Sequence, residues 1–306
     1  MRSKLMLFIA TEKGECVLKS LLSFDKDLVK IVIGFNEVNV KENYYNEIKD
    51  RCQNNEILFY DWNDVKSNLE CLLINEDISE AVAIGWKFFI PLSINKYLKH
   101  KLIVFHDSLL PQYRGFAPTP TALICGEKEI GMSVIYAEKE ADCGDIIIQK
   151  KFCVDEKIYI KDVIKKQSEL YCEAMLELIT KLENDNIITY KQNSNNATYS
   201  IWRNPEDCEI DWNDSSEKIY NLIRAVNIPY TGAFTYFENE RIYIWKAEPV
   251  DDLNFAIRNS GKIWKIDNGM PLIVCGEGVL KLTDITDENG NDFIFNKLRI
   301  RLGRRW

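Results

Sequence analysis

Along the first third of the chain, apolar positions gather in short continuous runs separated by stretches whose apolar residues recur at helical spacing. The runs are 4–9, 29–34, Ile57-Leu58-Phe59-Tyr60, Ala81-Val82-Ala83-Ile84 and 102–105. Runs this short, apolar throughout rather than alternating, predict strands buried on both faces. Between them, Val17, Leu18, Leu21 and Leu22 predict a helix over 14–23, and 40–53 is polar but compatible with one. Asp64 or Asn63 is placed to cap a helix reaching about Leu73, and Pro91 opens a short helix near 91–98. Strands alternating with helices predict βαβ units. The fold class is therefore α/β, with a Rossmann-like, mostly parallel sheet and flanking helices.

Farther along, 117–126 reads as helical, and 132–137 and 146–152 as strands. A long amphipathic helix follows over 159–181, whose stripe of Val163, Ile164, Tyr171, Met175, Leu178, Ile179 and Leu182 reads as packing. From Glu183 to Asn196 the chain turns polar, which suggests a linker. Beyond it come a short helix over 214–226 and strands at 233–237, 241–246, 261–266, 271–275 and 278–283. Short strands punctuated by turns predict a small barrel or sandwich, a β-rich, OB-like domain. The expected domains are thus 1–190 and 191–306.

Composition removes several classes of function. No run approaches the roughly 18 apolar residues of a membrane span, so no membrane partner is expected. Residues 1–10 resemble a leader only superficially, because Thr11-Glu12-Lys13-Gly14-Glu15 ends the apolar run too early. Nine scattered cysteines without a Cys-x-x-Cys pair argue for reduced thiols in a cytoplasm and against zinc. With only two histidines, a histidine-rich metal centre is not expected either. The loop after the first strand lacks the Gly-x-Gly-x-x-Gly fingerprint of nicotinamide dinucleotide binding. The net charge of −8, with basic residues clustered only at Arg299, Arg301, Arg304 and Arg305, disfavours nucleic acid as a partner. A small or nucleotide-linked substrate fits better. A homodimer through the C-terminal strands is compatible with the sequence.

The candidate chemistry lies where strands give way to loops. The run 102–105 delivers His106, and a second apolar run leads to Asp142. Ligands of open α/β sheets gather at such strand ends. A histidine can take and return a proton near neutrality, and a neighbouring carboxylate can orient it and stabilise its charged form. A structural hydrogen-bonded pair is the alternative reading.

His106-x-Ser108-Leu109-Leu110-Pro111-x-Tyr113-Arg114-Gly115, followed by Asp142-x-Gly144-Asp145-Ile146, resembles the folate-dependent formyltransferases. Gly85-Trp86 followed by Pro91 is similar to that family's folate-lining segment. The resemblance continues through Ala197-Thr198-Tyr199, Arg203-x-Pro205-x-Asp207-x-x-Ile210-Asp211-Trp212, Ile223-Arg224-Ala225 and Gly232-Ala233-Phe234, as in the extension shared by the tRNA and sugar enzymes. It implies N10-formyltetrahydrofolate as co-substrate, no metal, and transfer of its formyl group to a primary amine. It also implies that His106 and Asp142 move protons, with Gly85, Trp86, Glu138, Cys143 and Gly144 around the folate. Gly85 and Gly144 would let the backbone approach a flat ring closely. An asparagine two residues before the histidine is expected to help bind the oxyanion, but this chain has Val104 there. Losing one such donor can lower a rate by about 10²–10³. Asp107 and Lys87 are the nearest unusual polar residues.

For the amine, the C-terminal extension argues against glycinamide ribonucleotide, and the negative charge argues against tRNA. An amino sugar, nucleotide-activated, is the expected substrate. Thr11, Lys87, Tyr113, Arg114, Tyr199, Trp202, Arg203 and Arg224 are candidate substrate contacts. The alternatives are a methionyl-tRNA formyltransferase, a formyltetrahydrofolate hydrolase, and a non-catalytic folate-binding relative.

Overall fold

The computed structural model describes residues 3–36, 42–295 and 297–303. Arg304 and Arg305 of the basic tail, and the start of the polar stretch at 40–53, lie outside the described residues. The chain divides into two compact units. The first comprises Met1–Pro118, Glu129–Cys153 and Val163–Ile201, and the second Thr119–Lys128, Val154–Asp162 and Trp202–Trp306.

In the first unit, β1 (Leu5–Ile9), α1 (Thr11–Phe24), β2 (Val29–Gly34), α2 (Tyr45–Asn54) and β3 (Leu58–Asp61) follow one another. Two short helices, α3 (Trp62–Val65) and α4 (Leu69–Asn75), stand where one helix was expected. Asp61, not Asn63 or Asp64, caps the first by accepting from the Asn63 N–H. The carbonyl of Asn68 then starts the second turn by accepting from Cys71 and Leu72. Next come β4 (Glu80–Ile84), a 3₁₀ helix over Leu92–Tyr97, β5 (Ile103–His106), the two-residue β6 (Arg114–Gly115) and α5 (Pro118–Ile124), which from Thr119 on belongs to the second unit. They are followed by β7 (Glu129–Tyr136), β8 (Ile146–Cys153), α6 (Ile160–Glu183) and β9 (Tyr199–Ser200).

The main sheet has seven strands in the order β3-β2-β1-β4-β5-β7-β8. Its first five strands run parallel, and β7 and β8 are antiparallel. Every residue of β1 and β4 is buried, as runs without alternation require. One face packs against α1 and α6, where Val17, Leu18 and Leu21 meet Tyr171, Met175 and Leu178. The other face packs against α3 and α4, with Trp62, Leu69 and Leu73. Strand alternation puts Phe105 on the first face and Val104 on the second. His106, one residue beyond Phe105, leaves the sheet on the same side as Val104.

The polar stretch expected to be a linker belongs to the first unit. Tyr190 exchanges two backbone hydrogen bonds with Ile146, each 2.8 Å, and β9 pairs with β6. The division therefore falls near Ile201 rather than at 190, and short segments around 119–128 and 154–162 go with the second unit.

The second unit contains α7 (Ser216–Ala225), capped by the Ser215 hydroxyl, and the strands β10 (Ala233–Phe237), β11 (Glu240–Val250), β12 (Ile263–Asp267), β13 (Met270–Val274) and β14 (Val279–Asp287). They form one antiparallel five-stranded sheet, β10-β11-β14-β13-β12, over its own apolar core. Ile124 and Tyr159, from the two short segments, pack against that core. Inside it, the Trp212 indole N–H donates to the fully buried Thr235 hydroxyl at 2.9 Å. Thr235→Val keeps the shape and leaves that N–H without an acceptor. The expected loss is about 1–3 kcal/mol, read as a lower denaturant midpoint with the slope unchanged. An unaltered midpoint would show that water reaches the indole.

Candidate active site

His106 ends β5 and is buried. Its Nε2 donates to the Tyr113 carbonyl at 2.9 Å, and its Nδ1 stands 3.4 Å from Asp142 Oδ1. Both ring nitrogens thus face oxygen acceptors, and only the doubly protonated ring satisfies both. The contact to Asp142 is the longer of the two.

Asp142 has a left-handed backbone (φ 55°), a conformation that Asp tolerates better than most residues. The turn aims its carboxylate back across the loop after β5. Oδ2 accepts from the Gly115 N–H at 2.9 Å, leaving Oδ1 for the histidine. Gln192 fixes the backbone around it, with Nε2 donating to the carbonyls of Asp142 and Gly144 at 2.8 Å each. The buried Arg114 in turn donates to Gln192 Oε1 from Nε (3.1 Å) and from Nη2 (2.7 Å). The loop after β5 is braced from below as well. The buried Ser133 hydroxyl donates to the Ser108 carbonyl at 2.7 Å, and Gln149 Nε2 donates to the Leu110 carbonyl at 3.0 Å.

The remaining sequence-predicted residues are placed as follows. Gly85 (φ 59°) and Gly144 are needed by the chain itself. A Cβ at 85 would collide with the Thr11 hydroxyl, and one at 144 with the Tyr136 carbonyl oxygen. Trp86 sits in an aromatic cluster with Phe8, Phe35, Trp62 and Phe88, ring centroids 5.1–5.8 Å away. Its indole Nε1 is buried there without a hydrogen-bond partner among the described residues. The exposed Lys87 lies 4.7 Å over the Phe35 ring. Glu138 pairs with Lys101 at 2.6 Å, and the Cys143 thiol donates to the Glu140 carbonyl at 3.1 Å. Thr11 (φ 63°) is exposed at the end of β1, and Tyr113 donates its N–H to the Thr198 hydroxyl at 2.9 Å. Tyr199 and neighbouring Phe116 expose their rings beside the β6–β9 pair.

Trp202, Arg203 and Arg224 belong to the second unit. Arg224 is buried there, and its guanidinium donates to Asn221 Oδ1 (2.9 Å) and to the carbonyls of Asp155 (3.4 Å) and Ile158 (3.3 Å). It serves the unit's own packing. Arg203 donates to the Asp207 carbonyl at 3.4 Å. Among the described residues, no group of three or more His, Cys, Asp or Glu side chains is arranged to hold a metal ion.

Sequence reasoning missed Gln192 and Ser133, and gave no role to Lys13, whose ammonium lies 2.6 Å from Asp107 Oδ2. Burial alone would raise the Asp107 carboxyl. The Lys13 ammonium and the Tyr171 hydroxyl outweigh it and hold the group below the ordinary aspartate range.

Comparison with known proteins gives a consistent result. Residues 65–179 match the family model described as "Formyl transferase", and residues 203–295 match "Formyl transferase, C-terminal domain". A methionyl-tRNA formyltransferase from Caldanaerobacter subterraneus subsp. tengcongensis is 31% identical over 226 residues, covering 73% of this chain and 72% of that one. Among solved structures, a sugar 3N-formyl transferase determined with dTDP and 5-N-formyl-THF superposes with a TM-score of 0.68 at 18% identity, covering 97% of this chain and 100% of that one. The N-formyltransferase of Helicobacter canadensis, determined with folinic acid and dTDP-3-aminofucose, gives a TM-score of 0.66 at 19% identity, over 92% of this chain and 99% of that one. At such identities these two likenesses speak to the fold.

The brace predicts a local effect. Gln192→Ala removes both donors to the loop that carries Asp142. Amide hydrogen exchange over 138–144 should accelerate by at least about tenfold, since each 1.4 kcal/mol of lost opening free energy is a factor of ten, while β7 and β8 keep their protection. Unchanged exchange in the loop would show that Gln192 is not what holds it.

Proposed function

Because the chain belongs to the formyltransferase family, we propose that it passes the formyl group of N10-formyltetrahydrofolate to the primary amine of an amino sugar carried on a nucleotide. The observation that carries this reading is the proton-handling pair: His106, buried at a strand end, faces Asp142 at 3.4 Å. The surroundings fit a flat, partly polar co-substrate. Phe35, Trp86 and the partly exposed Phe88 form an aromatic wall, and Trp86, Val104 and Ala137 pack against one apolar cluster. The loop from Glu138 to Gly144 continues directly from Ala137.

When bound, the co-substrate supplies an electrophilic formyl carbon on a nitrogen that must leave. His106 takes the proton that the attacking amine loses and returns it to the departing nitrogen. Asp142 holds the imidazole in place and balances its charge while the proton resides there. Position 104 contributes no hydrogen-bond donor, so the oxyanion depends on other groups.

Two features support a nucleotide sugar as acceptor. The chain carries a net charge of −8, unfavourable for a surface that must neutralise many phosphates. Tyr199 and Phe116 present exposed rings on which a single base can stack. The 31% identity to a methionyl-tRNA formyltransferase favours a second reading, in which the amine is that of a charged initiator tRNA. Either reaction belongs in a cytoplasm, in keeping with nine free cysteines.

Incubation with N10-formyltetrahydrofolate and a panel of dTDP- and UDP-linked amino sugars should yield an N-formyl sugar, detected by mass spectrometry. His106→Ala and Asp142→Asn should each lower kcat/KM by about 10²–10⁴-fold, the usual contribution of a positioned acid or base. Formylation of charged initiator tRNA alone would replace the sugar with tRNA. Formate release without any acceptor amine would indicate a hydrolase, and folate binding with no turnover would overturn catalysis.

A further inference from the structure

His106 is flanked in sequence by two residues that a single distant side chain grips. Tyr171, almost fully buried on α6, packs its ring against Phe105, centroids 5.3 Å apart. Its hydroxyl donates to Asp107 Oδ1. The other oxygen of Asp107 accepts from Lys13 Nζ at 2.6 Å, and the same ammonium lies 5.4 Å over the Tyr171 ring. Gln167, one turn before Tyr171, donates to the Gly131 carbonyl at 3.0 Å and more weakly to the Asp107 carbonyl at 3.4 Å. Three elements far apart in sequence, α1, β5 and α6, thus converge on the two residues either side of the histidine.

We propose that Lys13, Asp107 and Tyr171 form a clamp that positions His106 for proton transfer. The inference rests on the catalytic reading of His106 and adds three positioning residues to it. Stability alone is a poor explanation for the arrangement. Lys13 is buried and Asp107 half-buried; an ion pair taken that far out of water is often no better for folding than apolar side chains of the same volume, and this site adjoins an apolar cluster containing Phe105, Tyr171 and Met175. What the pair supplies is direction. A carboxylate held by an ammonium on one oxygen and a phenol on the other has one position, and through one peptide unit it sets where β5 ends. That matters because the His106 ring must meet the Tyr113 carbonyl at 2.9 Å and Asp142 at 3.4 Å, and small misplacements of reacting groups are expensive in rate. Lys13 also lies two residues after Thr11, so the clamp ties the end of β1 to the end of β5 past the intervening β4.

The charge states agree with this role. Burial and the Asp107 carboxylate push the Tyr171 phenol well above its ordinary range, so it stays a donor. With its carboxyl held low, Asp107 adds stability above the unfolded aspartate value, and that contribution is lost as pH falls through the lower folded value.

Tyr171→Phe removes one hydroxyl, and the double variant Lys13→Met with Asp107→Leu replaces the ion pair with apolar volume. Each should lower kcat by about 10–100-fold with both KM values within about twofold, because positioning acts in the transition state. A second readout needs no turnover. The chain has only two histidines, so His100→Gln assigns the imidazole nitrogen resonances of His106, which should shift or broaden in both clamp variants. Wild-type kcat together with unmoved His106 signals would overturn the clamp. So would lower thermal stability with full kcat per folded molecule. If the wild type transfers formyl to no amine, the catalytic reading fails, and the His106 resonances alone still decide whether the clamp positions the ring.

Discussion

The 2.9 Å hydrogen bond from the Gly115 N–H to Asp142 Oδ2 joins the loop after β5 to the loop after β7. Asp142 lies in the second loop, and His106 ends the strand that feeds the first. The bond divides the carboxylate's two oxygens between backbone and imidazole, which fixes the angle at which Oδ1 meets His106. It is available only because Asp142 turns through a left-handed conformation and Gly115, at φ 99°, leaves its own N–H exposed to it. Arg114 and Gln192 stand behind this bond as a relay. A guanidinium holds an amide oxygen, and the amide nitrogen holds the two carbonyls around the acid.

Burial sets the terms of this arrangement. His106 and Arg114 are both more than nine-tenths buried, so each polar group needs a partner or incurs a desolvation penalty. The partners are mostly backbone carbonyls and neutral amides, which orient without adding charge. Lys13 and Asp107 pair with each other, so the strand end is not left with a lone ion. The frame around His106 is therefore paired on every side that the hydrogen bonds reach.

What the sequence made legible follows from range. Strands buried on both faces read directly as apolar runs, and all seven strands of the main sheet lie close to where such runs placed them, with boundaries shifted by up to three residues. His106 and Asp142 were visible because each follows such a run. Arg114 was read as a substrate contact, whereas its partner, Gln192, lies 78 positions away in a stretch that looks like linker. Lys13 meets Asp107 across 94 positions and Tyr171 meets it across 64, and neither spacing has any periodic signature. The glycines are ambiguous for a related reason. A glycine needed for close approach looks the same whether the approaching group is a ligand or, as at Gly85 and Gly144, the protein's own Thr11 and Tyr136.

The pairing of Gly85 with Thr11 bears on the missing donor at Val104. Ile9, Ile84 and Phe105 are level across β1, β4 and β5, so Ala10, Gly85 and His106 form the next row at the sheet's edge. Thr11 stands just past that row with φ 63°, a conformation that a β-branched residue adopts only under constraint from its surroundings. The absence of a side chain at Gly85 is what makes room for its hydroxyl. The edge of the sheet that presents His106 therefore has a side-chain donor, but on β1's end rather than two residues before the histidine. A hydroxyl can donate one hydrogen bond, whereas valine at 104 has no side-chain donor. With valine at 104, the side-chain donor at this edge of the sheet is thus the Thr11 hydroxyl.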